Sequence, residues 1–258
     1  MKFVFDLDGT ICFKGKPVSE NIVACLLDIK NQGHDVIFAS ARPIRDMLPV
    51  LDVKLHSFPM IGGNGSLLYK NGEVLHSTAF DSLDLKQILH LIDKYDVTYL
   101  IDGEWDYAYT GTPNHPILSF LDPANLAQAL PVESLGPIVK VLLLTGSNVE
   151  GLTKELKKMD IVVHTHTDEE VVDLSPQNVH KWSALSSLGV KEGDFIAFGN
   201  DANDLSMFQH AKHAVMVGYH EGLSAFADEE IPLMDDYEED IIQKLRELSS
   251  QYREVKKG

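Results

Sequence analysis

Phe3, Val4 and Phe5 form a short apolar, β-prone run that stops abruptly at Asp6-Leu7-Asp8-Gly9-Thr10. A buried strand ending in two carboxylates and a glycine turn constrains the rest of the chain. Open α/β sheets bind ligands beyond the carboxyl ends of their strands. Residues i and i+2 of an extended segment share a face, so Asp6 and Asp8 can point into one volume. Two converging anions repel unless a cation or a shared proton compensates, and Mg2+ with its oxygen ligands suits that task. Taken alone, D-x-D-G also describes a strand followed by an ordinary Asp-Gly turn.

The same pattern recurs downstream. Ser19 to Asn31 reads as a helix, with Ser19 as N-cap and Gly33 closing it. The buried-type strand Asp35-Val36-Ile37-Phe38-Ala39 follows and ends in Ser40-Ala41-Arg42-Pro43. A right-handed crossover places Ser40 beside Asp6 and Asp8. A helix is expected from Arg45 to Val50, a third strand over Ser57 to Ile61, and a tight Asn-Gly hairpin turn within Gly62-Gly63-Asn64-Gly65.

From about Asp81 the texture changes to hairpins and helices. A helix is expected over Leu83–Tyr95 and a hairpin about Gly103, followed by a helix from Pro123 to Leu130. Strands are expected over Pro137–Leu144, Ile161–His164 and Glu170–Leu174, with a helix from Val149 to Met159 between them. This mixture reads as an α+β insert covering residues 81–174. The βαβ rhythm then resumes. A helix spans Lys181 to Gly189, and a buried strand, Asp194 to Phe198, ends in Gly199-Asn200-Asp201-Ala202-Asn203-Asp204. A helix over Leu205–Ala211, a strand over Ala214–Val217, a short helix at Ala225–Ala227 and a last helix from Glu239 to Tyr252 complete the chain, with a frayed tail at Lys256-Lys257-Gly258.

Composition narrows the function. The formal charge of −17 argues against nucleic acid, whose phosphates need a basic face. No apolar run approaches the roughly 20 residues of a membrane helix, and the N-terminus lacks a signal-peptide pattern. A cytoplasmic protein, monomeric or weakly homo-oligomeric, is expected. Cys12 and Cys25 match neither a disulfide framework nor zinc spacing.

A parallel sheet brings Asp6/Asp8, Ser40 and the Asn200–Asp204 cluster to one edge, and Lys181 can add a cation there. These are the parts for phosphoryl transfer to an aspartate. Asp6 can attack phosphorus, while Asp8 protonates the leaving alkoxide and then deprotonates the hydrolytic water.

Four segments carry a resemblance: FVFDLDGT, FASARP, Lys181 within SPQNVHKWSAL, and FGNDANDLSMF. With IGGNGSLLY ahead of the insert, the chain resembles the haloacid-dehalogenase superfamily, and most closely Cof-type phosphatases with a class-two cap. The resemblance implies a Rossmann-like core (residues 1–80 and 175–258), a cap (81–174) and a small phosphorylated metabolite as substrate. It implies Asp6 as nucleophile and Mg2+ ligand, and Asp8 as acid/base and main-chain ligand. Ser40, Lys181 and Asn203 are implied as phosphate contacts, and Asp204 as the second acidic position that ligates the metal, directly or through water. Where the family carries Asp after the motif-four glycine, this chain has Asn200; either Asn200 or Asp201 reaches the ion. A phosphomutase and a phosphate-binding signalling module are the alternatives.

Simpler readings stand beside these. Ser40 can be a turn hydroxyl, Lys181 a surface lysine and Asn203-Asp204 a helix cap. Arg42 pairs with a surface acid or touches substrate. His164 and His166 read as strand-edge histidines rather than metal ligands, His180 as structural, and Trp105, Tyr107 and Tyr109 as cap core.

Overall fold

The computed structural model describes residues 1–166 and 171–253. The frayed tail expected at Lys256–Gly258 lies outside them. In chain order the first elements are β1 (Lys2–Phe5), α1 (Glu20–Asn31), β2 (Asp35–Ala39), α2 (Ile44–Met47), β3 (Met60–Gly62), β4 (Leu67–Lys70) and β5 (Glu73–Ser77). Then come α3 (Ser82–Lys94), β6 (Thr98–Asp102), β7 (Tyr107–Tyr109), β8 (Lys140–Thr145), α4 (Val149–Leu156), β9 (Val162–His166) and β10 (Val171–Ser175). The last set is α5 (Lys181–Ser187), β11 (Phe195–Gly199), α6 (Leu205–Phe208), β12 (His213–Val217), α7 (Glu221–Ser224), β13 (Glu229–Ile231) and α8 (Tyr237–Gln251).

Two sheets result. The core sheet has eight strands in the order β13-β12-β11-β1-β2-β3-β4-β5. It is parallel from β13 to β3 and antiparallel through β3, β4 and β5. The five-stranded cap sheet, β7-β6-β8-β10-β9, is antiparallel throughout. Helices α1 and α8 cover one face of the core sheet, burying Ile22, Leu26, Ile241 and Leu245 against Phe3, Phe5 and Phe38. On the other face α5 and α6 bury Leu185, Met207 and Phe208 against Val4, Ile37 and Ala197. Burial on both faces is why the central strands read as unbroken apolar runs. The N-cap of α1 is the expected one, with the Ile22 N–H donating to Ser19 Oγ at 3.3 Å.

Several elements differ from the sequence expectation. No helix forms over Pro123–Leu130. The Asp122 carboxylate accepts the N–H groups of Leu126 and Ala127, and the Asp106 carboxylate accepts that of Gln128. Side chains that satisfy the main chain locally compete with helix formation, and the segment instead runs beside Tyr107. The glycine turn after β3 is a short 3-10 turn over Gly63–Gly65 with Asn64 in the left-handed region (φ 59), in place of a two-residue Asn-Gly turn. Pro49 falls in a 3-10 turn that shortens the expected Arg45–Val50 helix to α2. The short late helix lies at Glu221–Ser224 instead of Ala225–Ala227, and the polar edge strand β13 had no sequence signal. Trp105 packs against the core domain, away from the cap cluster that holds Tyr107 and Tyr109. Among the described residues, no helix is long and apolar enough to cross a membrane.

Candidate active site

Register places the strand tips together. Phe5 pairs with both Phe198 and Phe38, and Ala39 pairs with Ile61. The residues that follow these strands therefore share one edge: Asp6 donates its N–H to Phe198 O at 2.9 Å, and Ser40 donates its own to Ile61 O at 2.8 Å. Asp6, Ser40, Lys181 and Asp204 are all buried.

Lys181, in the first turn of α5, joins two carboxylates. Its Nζ donates to Asp6 Oδ1 at 2.6 Å and to Asp204 Oδ1 at 2.5 Å. His180 provides the N-cap that starts α5, accepting the Ser183 N–H at 3.0 Å, which gives it the structural role expected. Burial raises the Asp6 carboxyl from 3.8 to about 7; Lys181 opposes that rise, while Asp204 and Asp8 add to it. The Lys181 ammonium is pushed down by burial but more strongly up by Asp204 and Asp6, so it stays charged.

The second Asp6 oxygen faces a different set. Thr10 Oγ1 donates to Asp6 Oδ2 at 3.2 Å. With its amide nitrogen turned inward, Asn200 donates to Asp8 O at 2.9 Å, Thr10 Oγ1 at 3.1 Å and Asp6 Oδ2 at 3.2 Å. Gly9 makes this approach possible, because a Cβ on it would lie 2.2 Å from the Asn200 carboxamide. A carboxylate oxygen, a main-chain carbonyl and a carboxamide thus converge on one point, a donor set that fits a hard divalent cation. Turning the amide over would direct its oxygen to the same point. Asp201 faces elsewhere: its carboxylate accepts the Ala202 N–H at 2.6 Å and lies 3.6 Å from His220 Nε2.

Asp204 is already committed. Beyond Lys181, its Oδ2 accepts the N–H groups of Asn200 at 2.8 Å and Asp201 at 3.1 Å. Asn203 donates to Asn64 Oδ1 at 3.2 Å, and Asn64 donates to Asp173 Oδ2 at 3.0 Å. Asp173 belongs to β10 and pairs with Lys140 of β8 at 3.0 Å; Lys140 also donates to Ala41 O at 2.7 Å. A buried polar chain therefore runs from the Asn203 loop through the cap sheet to the loop after β2. A second crossing uses Arg45, which donates to Asp102 Oδ1 at 2.5 Å and Trp105 O at 2.9 Å. Arg42 pairs with an acid, and that acid is the half-exposed Asp8 of the site itself.

Between core and cap lies a cavity of about 210 Å³ whose lining includes Asn64, His164, His180 and Asn203. His164 and His166 both lie in β9, and the His166 side chain lies outside the described residues. Among the described residues, no group of three His, Cys, Asp or Glu side chains is arranged to hold a metal. The oxygen cluster at Asp6 escapes that pattern because a carbonyl and an amide replace side-chain carboxylates. Thr10, Asn64, Lys140 and Asp173 were not singled out from the sequence. The signal for the last two was a charged residue inside an apolar strand, which is rarely buried unless paired.

The chain is similar to known proteins. Over 228 residues the chain is 25% identical to the 5-amino-6-(5-phospho-D-ribitylamino)uracil phosphatase YitU of Bacillus subtilis, covering 83% of this chain and 84% of that protein. Over 237 residues it is 24% identical to the HMP-PP phosphatase of Serratia proteamaculans, covering 83% and 82%. The solved structure of a HAD subclass IIB sugar phosphatase superposes with a TM-score of 0.77 at 18% identity, covering 96% of this chain and 98% of that one. Residues 3–236 match the model of the haloacid dehalogenase-like hydrolases, the family to which this chain belongs.

Proposed function

We propose that the protein is a Mg2+-dependent phosphatase that hydrolyses a small phosphorylated metabolite through an aspartyl-phosphate on Asp6. The observation that carries this reading is the division of labour at Asp6. One oxygen is anchored by Lys181, and the other faces the Thr10, Asn200 and Asp8 carbonyl cluster.

Asp6 Oδ, Asp8 O and Asn200 would hold the cation, which when bound neutralises charge on the nucleophile and the phosphoryl group. Ser40 Oγ and the Lys181 ammonium bind phosphoryl oxygens. Asp6 forms its bond to phosphorus as the bond to the leaving oxygen breaks, and Asp8 gives that oxygen a proton. Asp8 then takes a proton from the water that cleaves the acyl phosphate. Asp204 serves by position: it holds Lys181 and the Asn200–Asp201 main chain, and with both oxygens committed we assign it no metal bond. Asn203 and its partner Asn64 both line the cap-side cavity. The relatives named for a ribitylamino-uracil phosphate and for HMP-PP support a small organic phosphate as substrate.

The test is hydrolysis of p-nitrophenyl phosphate in Mg2+ by wild type and Asp6→Asn. Turnover is expected to vanish in the variant with circular dichroism unchanged. Undiminished turnover removes Asp6 from the mechanism, and an isomerised sugar phosphate in place of free phosphate would make the enzyme a mutase.

A further inference from the structure

The guanidinium of Arg42 meets Asp8 as a fork, with Nε 2.6 Å from Oδ2 and Nη2 2.7 Å from Oδ1. One planar group therefore engages both carboxylate oxygens, which fixes direction as well as distance. The partners differ in freedom: the Asp8 side chain is 49% exposed and that of Arg42 only 11%. Arg42 is fixed from several sides. Its N–H donates to Ser40 Oγ at 3.1 Å, its carbonyl accepts the Gly63 N–H at 2.8 Å, and its Nη1 donates to Asp46 O at 3.2 Å. From the cap, the Phe120 ring covers the guanidinium at 5.7 Å. The same ring closes over Gly15, where a Cβ would come within 2.4 Å of it. Asp8 thus takes its orientation from Arg42, and Arg42 takes its own from the loop after β2 and from the cap.

We propose that Arg42 is the positioning residue for Asp8, and that Phe120 couples the seating of the cap to that positioning. The inference rests on the phosphatase reading, in which Asp8 moves protons. A proton donor is effective only within hydrogen-bond reach of the leaving oxygen, and small misplacements are costly. In the reacting arrangement one arm of the fork stays closed. The other opens, the freed oxygen takes a proton from solvent water, and it passes that proton to the leaving oxygen as the phosphorus–oxygen bond breaks and the bond to Asp6 forms.

The experiment separates positioning from general damage by leaving group. β-Glycerophosphate loses an alkoxide that needs a proton, whereas a dinitrophenyl phosphate loses an anion that does not. kcat/KM reports the steps through that first transfer, and it is measured on both for wild type, Arg42→Met, Arg42→Lys, Phe120→Ala and Asp6→Asn. For Arg42→Met the alkyl substrate is expected to fall about 100-fold and the dinitrophenyl substrate no more than about threefold. Arg42→Lys, which cannot fork, is expected between wild type and Arg42→Met, and Phe120→Ala is expected to show the same skew at about fivefold. Proportional losses on both substrates, or no loss on the alkyl one, overturn the role of Arg42; an unskewed Phe120→Ala overturns the coupling. If Arg42→Met fails to fold, the other two variants decide. Failure of the phosphatase reading looks different: wild type turns over neither phosphate, or Asp6→Asn retains turnover.

Discussion

Arg45 of the core domain and Asp102 of the cap meet at 2.5 Å with both side chains almost wholly buried. Removing Asp102 leaves Arg45 with Asp46, at 3.4 Å, as its remaining carboxylate in a dry interface, a loss of up to about 3–5 kcal/mol. Asp102→Ala is therefore expected to lower the urea midpoint sharply. Arg45→Met with Asp102→Leu is expected to be milder than either single change, and additive losses in the double variant would contradict this.

Asp46, beside that pair, gives a pH dependence. Burial raises its carboxyl from 3.8 to about 6, against the pull of Arg45. A folded value above the unfolded one means the fold binds the proton more tightly. This contribution is complete below about pH 4 and is lost as the pH rises through 6, on the order of 3 kcal/mol in total. Asp46→Asn keeps the oxygen that accepts the Asp122 N–H at 2.8 Å. It is expected to flatten stability between pH 4 and 6, as read by thermal melts across that range.

Asn200 offers a crossed prediction. Without metal, Asn200→Asp sets a third negative group against Asp6 Oδ2 and the Asp8 carbonyl, so the melting temperature is expected to fall. With Mg2+ the added charge is expected to tighten binding about tenfold, roughly 1.4 kcal/mol, in a calorimetric titration. Unchanged affinity would place the ion away from Asn200.

Asn64 ties the phosphate loops to the cap, and its φ of 59 makes glycine the cleanest replacement. Asn64→Gly preserves the turn and deletes only the bonds to Asp173 and Asn203. A fall of about tenfold in kcat/KM for p-nitrophenyl phosphate is expected, with a loss of about 1–2 kcal/mol in stability.

The sheet edge was legible because parallel strands buried on both faces must be apolar throughout. Phe3–Phe5, Asp35–Ala39 and Phe195–Gly199 announce themselves, and the polar residues just beyond them mark the site. What sequence spacing cannot show is which side chains meet across the fold. Nothing local to Arg42 names Asp8, 34 positions away, as its partner. Lys140 and Asp173 each look like an isolated charge in a cap strand until the strands pair. The segment after Asp122 misled for a different reason: its carboxylates satisfy the backbone, so composition alone suggested a helix that the hydrogen bonds replace.

The path back from the cap has a consequence of its own. Strand β10 ends at Ser175, and the lysine that grips Asp6 is the first residue of α5. Residues 176–180 form a short tether between them, folded into a turn by the Val179 N–H on Pro176 O at 3.1 Å. Lengthening that tether would leave both sheets intact yet slacken the direct main-chain link between cap and ammonium. In swapping caps between related chains, the spacing of this tether therefore matters more than the identity of the strands it joins.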